Sequence, residues 1–227
     1  MTAKIIAVFN QKGGCAKTQD TMQVAGELGL RGNPTLVIDM DIQGTGSIWS
    51  SNAPSSKPFP ATVISLASAG VNMRNELFKH IKNYKYILID CPPAIDSQIP
   101  WQALLHSHLG IIPVMPDPAN IWASNLAIDL ARKAIAEREL KRADDSQIPP
   151  LKVAILPSRV GRGTAYKICM EQITTDGDIK AMKSMLSDRI AYAESQLLYT
   201  CITAMAPKSA AANEVRSVVD EILKLLK

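Results

Sequence analysis

Short apolar runs alternate along this chain with longer stretches of helical spacing. Lys4 to Phe9 reads KIIAVF, Thr35 to Ile38 TLVI, Tyr86 to Ile89 YILI, Leu109 to Met115 LGIIPVM, and Lys152 to Leu156 KVAIL. Runs this apolar suit strands buried on both faces, and the helical stretches between them supply the crossovers that a parallel sheet requires. The pattern predicts a doubly wound α/β fold, with a mostly parallel sheet and helices on both faces. No Pro/Gly/Ser-rich linker divides the chain into two independently patterned halves, so a single domain over residues 1–227 is expected.

In the first helical stretch Met22, Val24, Ala25 and Leu28 share a face, and Gly32-Asn33-Pro34 supplies the stop. Residues 44–60 are rich in Ser, Pro and Gly and read as a surface loop with a little helix. The last stretch, from Val215 to Lys227, carries apolar residues at helical spacing and predicts an amphipathic helix.

At 47% hydrophobic and 20% charged the composition excludes disorder, and the net charge of +4 permits a polyanionic partner without establishing one. Cys15, Cys91, Cys169 and Cys201 are scattered without a CxxC pair, which fits a reducing cytoplasm and suggests neither a zinc site nor a disulfide framework. No apolar run approaches the length of a membrane span.

In open parallel sheets ligands bind beyond the carboxyl ends of the strands, and here those ends carry a distinctive chemistry. Between the first strand and the first helix stands Asn10-Gln11-Lys12-Gly13-Gly14-Cys15-Ala16-Lys17-Thr18. Gly13 and Gly14 let backbone N–H groups turn inward, and a helix N-terminus adds donors and partial positive charge for an anion. Lys17 has the reach for β and γ phosphates, and Thr18 the hydroxyl for Mg²⁺. The second strand ends at Asp39 and Asp41, the third at Asp90. The ordinary pattern GxxxxGK[ST] fails, because Gln11 and Ala16 stand where its glycines belong; KGGxxK[ST] matches, with Lys12 ahead of the glycine pair.

On these residues the chain resembles the ParA/MinD family of deviant P-loop ATPases. The resemblance extends to Asp39-Met40-Asp41-Ile42-Gln43-Gly44, to Ile87-Leu88-Ile89-Asp90-Cys91-Pro92-Pro93, to Ile112-Pro113-Val114-Met115-Pro116 and to Ala211-Ala212-Asn213-Glu214-Val215. In appearance it is nearest the small ParF-like partition proteins. The resemblance implies ATP and Mg²⁺ as cofactors, with Gly13, Gly14, Cys15, Ala16, Lys17, Thr18 and Gln19 binding nucleotide and Thr18, Asp41 and Asp90 at the metal. It implies catalysis by Lys12, Lys17 and Asp41: Asp41 positions water and switches, while Lys12 reaches the nucleotide of a second subunit, as an arginine finger does elsewhere. Asp39 anchors the strand end. The implied assembly is a homodimer with ATP sandwiched between subunits, binding nucleoid DNA non-specifically and acting with an adaptor, or centromere-binding, protein. Ala16 and Gln19 depart from the family pattern, which bears on turnover more than on binding.

The expected DNA contacts fall in the second half, among Arg159, Arg162, Lys167, Lys180, Lys183, Arg189, Lys208, Arg216, Lys224 and Lys227. Arg159 and Arg162 stand in a Gly-flanked loop and have the base end of the nucleotide as their alternative. Asp96 and Asp117 read as caps or turn residues, the three histidines as non-metal, and Cys15 as a small filler. The expected function is segregation of plasmid or chromosomal DNA. The alternatives are positioning of a protein cargo such as a carboxysome, a membrane-associated division-site regulator of the MinD kind, and a metabolic relative, either a small-molecule ligase or the iron-sulfur reductase type, against which Cys91 follows Asp90 too closely. Asp220 and Glu221 interrupt the last helix and argue against a membrane anchor.

Overall fold

A computed structural model describes residues 3–67, 72–93, 98–175 and 177–227. The strands are β1 (Lys4–Val8), β2 (Thr35–Asp39), β3 (Thr62–Ser65), β4 (Tyr86–Asp90), β5 (Leu109–Val114) and β6 (Lys152–Pro157). The helices are α1 (Lys17–Leu30), α2 (Thr45–Ser51), α3 (Met73–His80), α4 (Gln98–His106), α5 (Pro118–Asp144), α6 (Thr164–Thr175), α7 (Ile190–Leu197), α8 (Ile202–Met205) and α9 (Ala210–Leu225). The six strands form one sheet in the order β3-β2-β4-β1-β5-β6, and every ladder is parallel.

All five expected strands are present. A sixth, β3, pairs at the edge with β2 inside a segment too short and too polar at its ends to advertise itself. Residues 44–60 hold more structure than a surface loop: α2 buries Trp49, whose indole N–H donates to the Thr200 carbonyl at 3.1 Å.

Alternate strand residues point to opposite faces, which divides the core in two. Ile6, Val8, Val37 and Leu88 pack beneath α1, α2 and α9, while Ile5, Ala7, Leu36, Ile38, Ile87 and Ile89 pack beneath α3, α4 and α5. Helix α1 buries Met22, Val24, Ala25 and Leu28 and ends at Leu30, with Gly32 in the left-handed region at φ 76°. Helix α9 buries Val215, Val218, Val219 and Ile222 against the α1 side, so its apolar stripe is core. Asp220 and Glu221, two of the three acids within that helix, have structural partners. Asp220 pairs with Arg31 at 2.5 Å, and Glu221 accepts from the backbone N–H groups of Lys183 and Ser184 at 2.9 and 2.7 Å. No helix among the described residues is long and apolar enough to cross a membrane.

Candidate functional site

Register assembles the site before any side chain is considered. Val8 on β1 and Asp39 on β2 both lie opposite Asp90 on β4, so three strand ends finish at one level, with the connection from β1 to α1 leaving directly above them. Asn10 braces that connection. Its Nδ2 donates to the Pro113 carbonyl at 2.9 Å and to Ser124 Oγ at 3.3 Å, while its Oδ1 accepts from the Lys12 N–H at 3.1 Å. Sequence reasoning gave Asn10 no role of its own; its type and place are visible in the chain, its burial is not.

The loop closes on itself through a buried lysine. Lys17 Nζ donates to the Lys12 carbonyl at 2.9 Å, and the Cys15 thiol donates to the same oxygen at 3.1 Å. Burial holds that thiol above its ordinary pKa despite nearby Lys17, which suits a packed filler and not a reactive thiolate. Gly14 has φ 74°, and Ala16, at the head of α1, has φ 70°, a left-handed conformation that costs an L-residue on the order of 1 kcal/mol. No atom lies within 4 Å of where a Cβ would stand at Gly13 or Gly14, so the cradle is open above the glycine pair.

The acids beneath differ sharply. Asp39 is fully engaged: Oδ1 accepts from the Asp41 N–H at 3.1 Å, and Oδ2 from the Ser47 N–H and hydroxyl at 2.9 and 3.1 Å. It anchors the strand end, as expected. Asp41 turns one oxygen onto its own loop, accepting from the Gln43 N–H at 2.9 Å. Asp90 is 1% exposed, and neither carboxyl oxygen has a partner within hydrogen-bonding geometry. Burial pushes its pKa up to about 7; the adjacent Thr18 hydroxyl favours the charged form, Asp39 opposes it, Lys17 favours it and Asp41 opposes it. A buried carboxylate with both oxygens unpaired beside a threonine hydroxyl is the donor set that a hard cation takes. No group of three or more His, Cys, Asp or Glu among the described residues is placed to hold a metal, so the fit is to an ion that completes its shell with phosphate and water oxygens.

Asp20, in the first turn of α1, escaped sequence reasoning. It is 1% exposed; one oxygen meets Ser158 Oγ at the end of β6 and the other is unpartnered. Burial raises its pKa to about 8, with the Ser158 contact and Arg159 lowering it and Asp90 raising it. An acid near a helix N-terminus is ordinary in sequence; only the packing of β6 over it makes this one unusual.

Gln19 and Arg159 share a cleft of about 430 Å³ with Asp188 and Tyr192, next to the loop. The ten cations expected at DNA do not form one set. Arg159 is at the loop end of the sheet, paired with Asp188 at 3.4 Å, and Arg189 is bound to Glu214 at 2.7 Å, whereas Lys224 and Lys227 lie at the opposite end, beside the start of β1. Asp117 caps α5 by accepting from the Asn120 N–H at 3.0 Å, and His108 Nδ1 accepts from the Ile5 N–H at 3.0 Å. Asp96 lies outside the described residues.

Comparison with known proteins agrees with this geometry. An AAA domain family profile matches residues 3–57, which span β1, the loop, α1 and the acidic end of β2. Among curated proteins, the maintenance of carboxysome distribution protein A of Halothiobacillus neapolitanus is 26% identical over 219 residues, covering 96% of this chain and 95% of that protein. Among solved structures, a plasmid partition protein of Borrelia burgdorferi bound to AMPPNP superposes with a TM-score of 0.72 at 19% identity, covering 98% and 99% of the two chains. Cobyrinic acid a,c-diamide synthase of Mycobacterium smegmatis reaches 0.73 at 17% identity, covering 99% and 95%. Identities this low establish a shared fold.

Proposed function

From a chain with the loop pattern and the fold of the ParA/MinD P-loop ATPases, we propose an ATP-dependent positioning cycle, in which nucleotide closes a homodimer and hydrolysis reopens it. The observation that carries this reading is the unpartnered, buried Asp90 beneath an open glycine cradle, with Lys17 and Thr18 beside it. Backbone N–H groups of residues 13–18 would receive the phosphates, and Lys17 would exchange the Lys12 carbonyl for phosphate oxygen. Thr18 and Asp90 would hold Mg²⁺, with Asp41 at the edge of its shell; when bound, the ion neutralises charge between the phosphates. Asp41 is the water-positioning residue, and its turn onto Gln43 gives it a second state to leave. Lys12 stabilises transition-state charge in the partner subunit's site.

The product of such a cycle is position. Plasmid partition is supported by the Borrelia likeness, with non-specific DNA contacts and an adaptor protein completing the system. Positioning of a protein shell is supported by the Halothiobacillus relative, which covers nearly the whole chain. An anchor of the MinD type would need the apolar face of α9, which is committed to the core. The likeness to the cobyrinic acid enzyme is one of fold.

The test is size-exclusion with light scattering, with and without Mg-ATP, and phosphate release from ATP, on wild type and Lys12→Ala, followed by DNA retention at low and raised salt. The expected result is a nucleotide-dependent dimer that retains DNA at low salt, and a Lys12→Ala protein at least 10-fold slower in hydrolysis. Normal hydrolysis by that variant, or DNA retention indifferent to nucleotide and salt, would contradict the cycle.

A further inference from the structure

A cavity of about 1090 Å³ lies at the amino ends of the strands, opposite the phosphate loop, and the cycle above makes no use of it. Five lysines line it: Lys4 at the start of β1, Lys82 and Lys85 ahead of β4, and Lys224 and Lys227 at the end of α9. All five are exposed, and none makes an ion pair among the described residues. Some surface cations elsewhere pair: Lys79 with Glu76, Lys141 with Glu137, and Arg132 with Asp129 and Asp178. The single acidic side chain lining the cavity, Asp220, is engaged by Arg31 at 2.5 Å. Five like charges around one hollow repel one another, a cost that a folded chain avoids by interspersing acids unless an anion is received there.

The floor is apolar. The Tyr86 ring and Leu226 are buried beneath the lysine rim, and Tyr84 and Leu223 are half-buried in the walls. Lys85 holds its ammonium 2.8 Å from Asn33 Oδ1 and 5.5 Å from the Tyr86 ring centre, which fixes one cation at the rim. The negative end of α9 points this way, but Lys152 already donates to the Leu225 carbonyl at 2.7 Å and offsets it.

We propose that this groove is a docking site for a partner peptide that carries acidic side chains flanking apolar ones. The rim supplies charge complementarity, and the floor rewards only a ligand that inserts hydrocarbon. Duplex DNA fits less well, because its phosphates ride on a convex surface that cannot reach a recessed apolar floor, and no arginine lines the wall to grip them. The site is at the far end of the sheet from the loop and shares no lining residue with it.

Fluorescence anisotropy tests it with the full chain and three probes: a short labelled peptide alternating Glu with Leu and Phe, the same peptide with Gly for the apolar residues, and a duplex oligonucleotide. The expected result is saturable binding of the first peptide, at least 10-fold weaker binding of the second, and at least 10-fold loss for Lys82→Glu with Lys224→Glu. Should that double variant melt early, Lys82→Gln with Lys224→Gln replaces it, with a smaller loss expected. Equal binding of the two peptides, affinity unmoved by these variants, or a loss confined to the oligonucleotide would overturn the proposal.

Discussion

Ala16 stands where the ordinary loop pattern has glycine, and the backbone still adopts the left-handed conformation that glycine would take, at φ 70°. The geometry is therefore imposed by the loop and paid for locally. Ala16→Gly should raise stability in urea denaturation by about 0.5–1 kcal/mol, the left-handed strain of alanine less the added freedom of the unfolded chain. A loss of stability would mean that the strain is not felt. Asp20 gives a pH prediction. Its folded pKa, about 8, lies above the ordinary 3.8, so the folded chain holds this proton more tightly than the unfolded one. Its contribution is full below pH 4, declines as pH rises toward 8 and is constant beyond; Asp90, at about 7, acts in the same direction. Each such proton tilts stability by roughly 1 kcal/mol per pH unit across its window. Denaturation midpoints from pH 5 to 8 should therefore fall less steeply in Asp20→Asn than in wild type, and an unchanged slope would refute the assignment.

At the scale of elements, α1 ties the site to the core, and its glycines set how closely it lies. A Cβ at Gly29 would stand 2.0 Å from the Pro60 carbonyl oxygen, and one at Gly26 would stand 2.6 Å from Cys201 Cβ. Gly29→Ala meets backbone that cannot swing aside, so a loss of roughly 1–3 kcal/mol is expected in thermal or urea unfolding, against the usual gain from alanine in a helix. Wild-type stability in that variant would mean that the α1 to Pro60 approach is looser than described. The five buried strands and α1 were legible in the chain because a strand covered on both faces must be continuously apolar, and a strand-to-helix turn holding Gly13, Gly14 and Lys17 has few other uses. Edge strand β3 was not legible: Thr62 and Ser65 are exposed, and its pairing with β2 comes from the tertiary fold. Likewise, no local pattern reveals that Asp20 lies under Ser158, 138 residues away, or that Lys4 and Lys224 face one hollow.

Over the whole molecule, the two ends of the sheet carry different chemistry. The carboxyl ends gather unpartnered acid, buried lysine and open backbone beneath α1; the amino ends gather unpaired lysines over an apolar floor. Parallel pairing throughout is what segregates them, since every strand finishes on the same side. The proposed cycle stands or falls on the first of these ends holding a nucleoside triphosphate. Calorimetric titration of wild type and Lys17→Gln with a slowly hydrolysed ATP analogue, with and without Mg²⁺, measures that directly. Binding that requires Mg²⁺ and weakens at least 10-fold in Lys17→Gln is predicted; no binding to the wild type, or equal affinity in the variant, would contradict it.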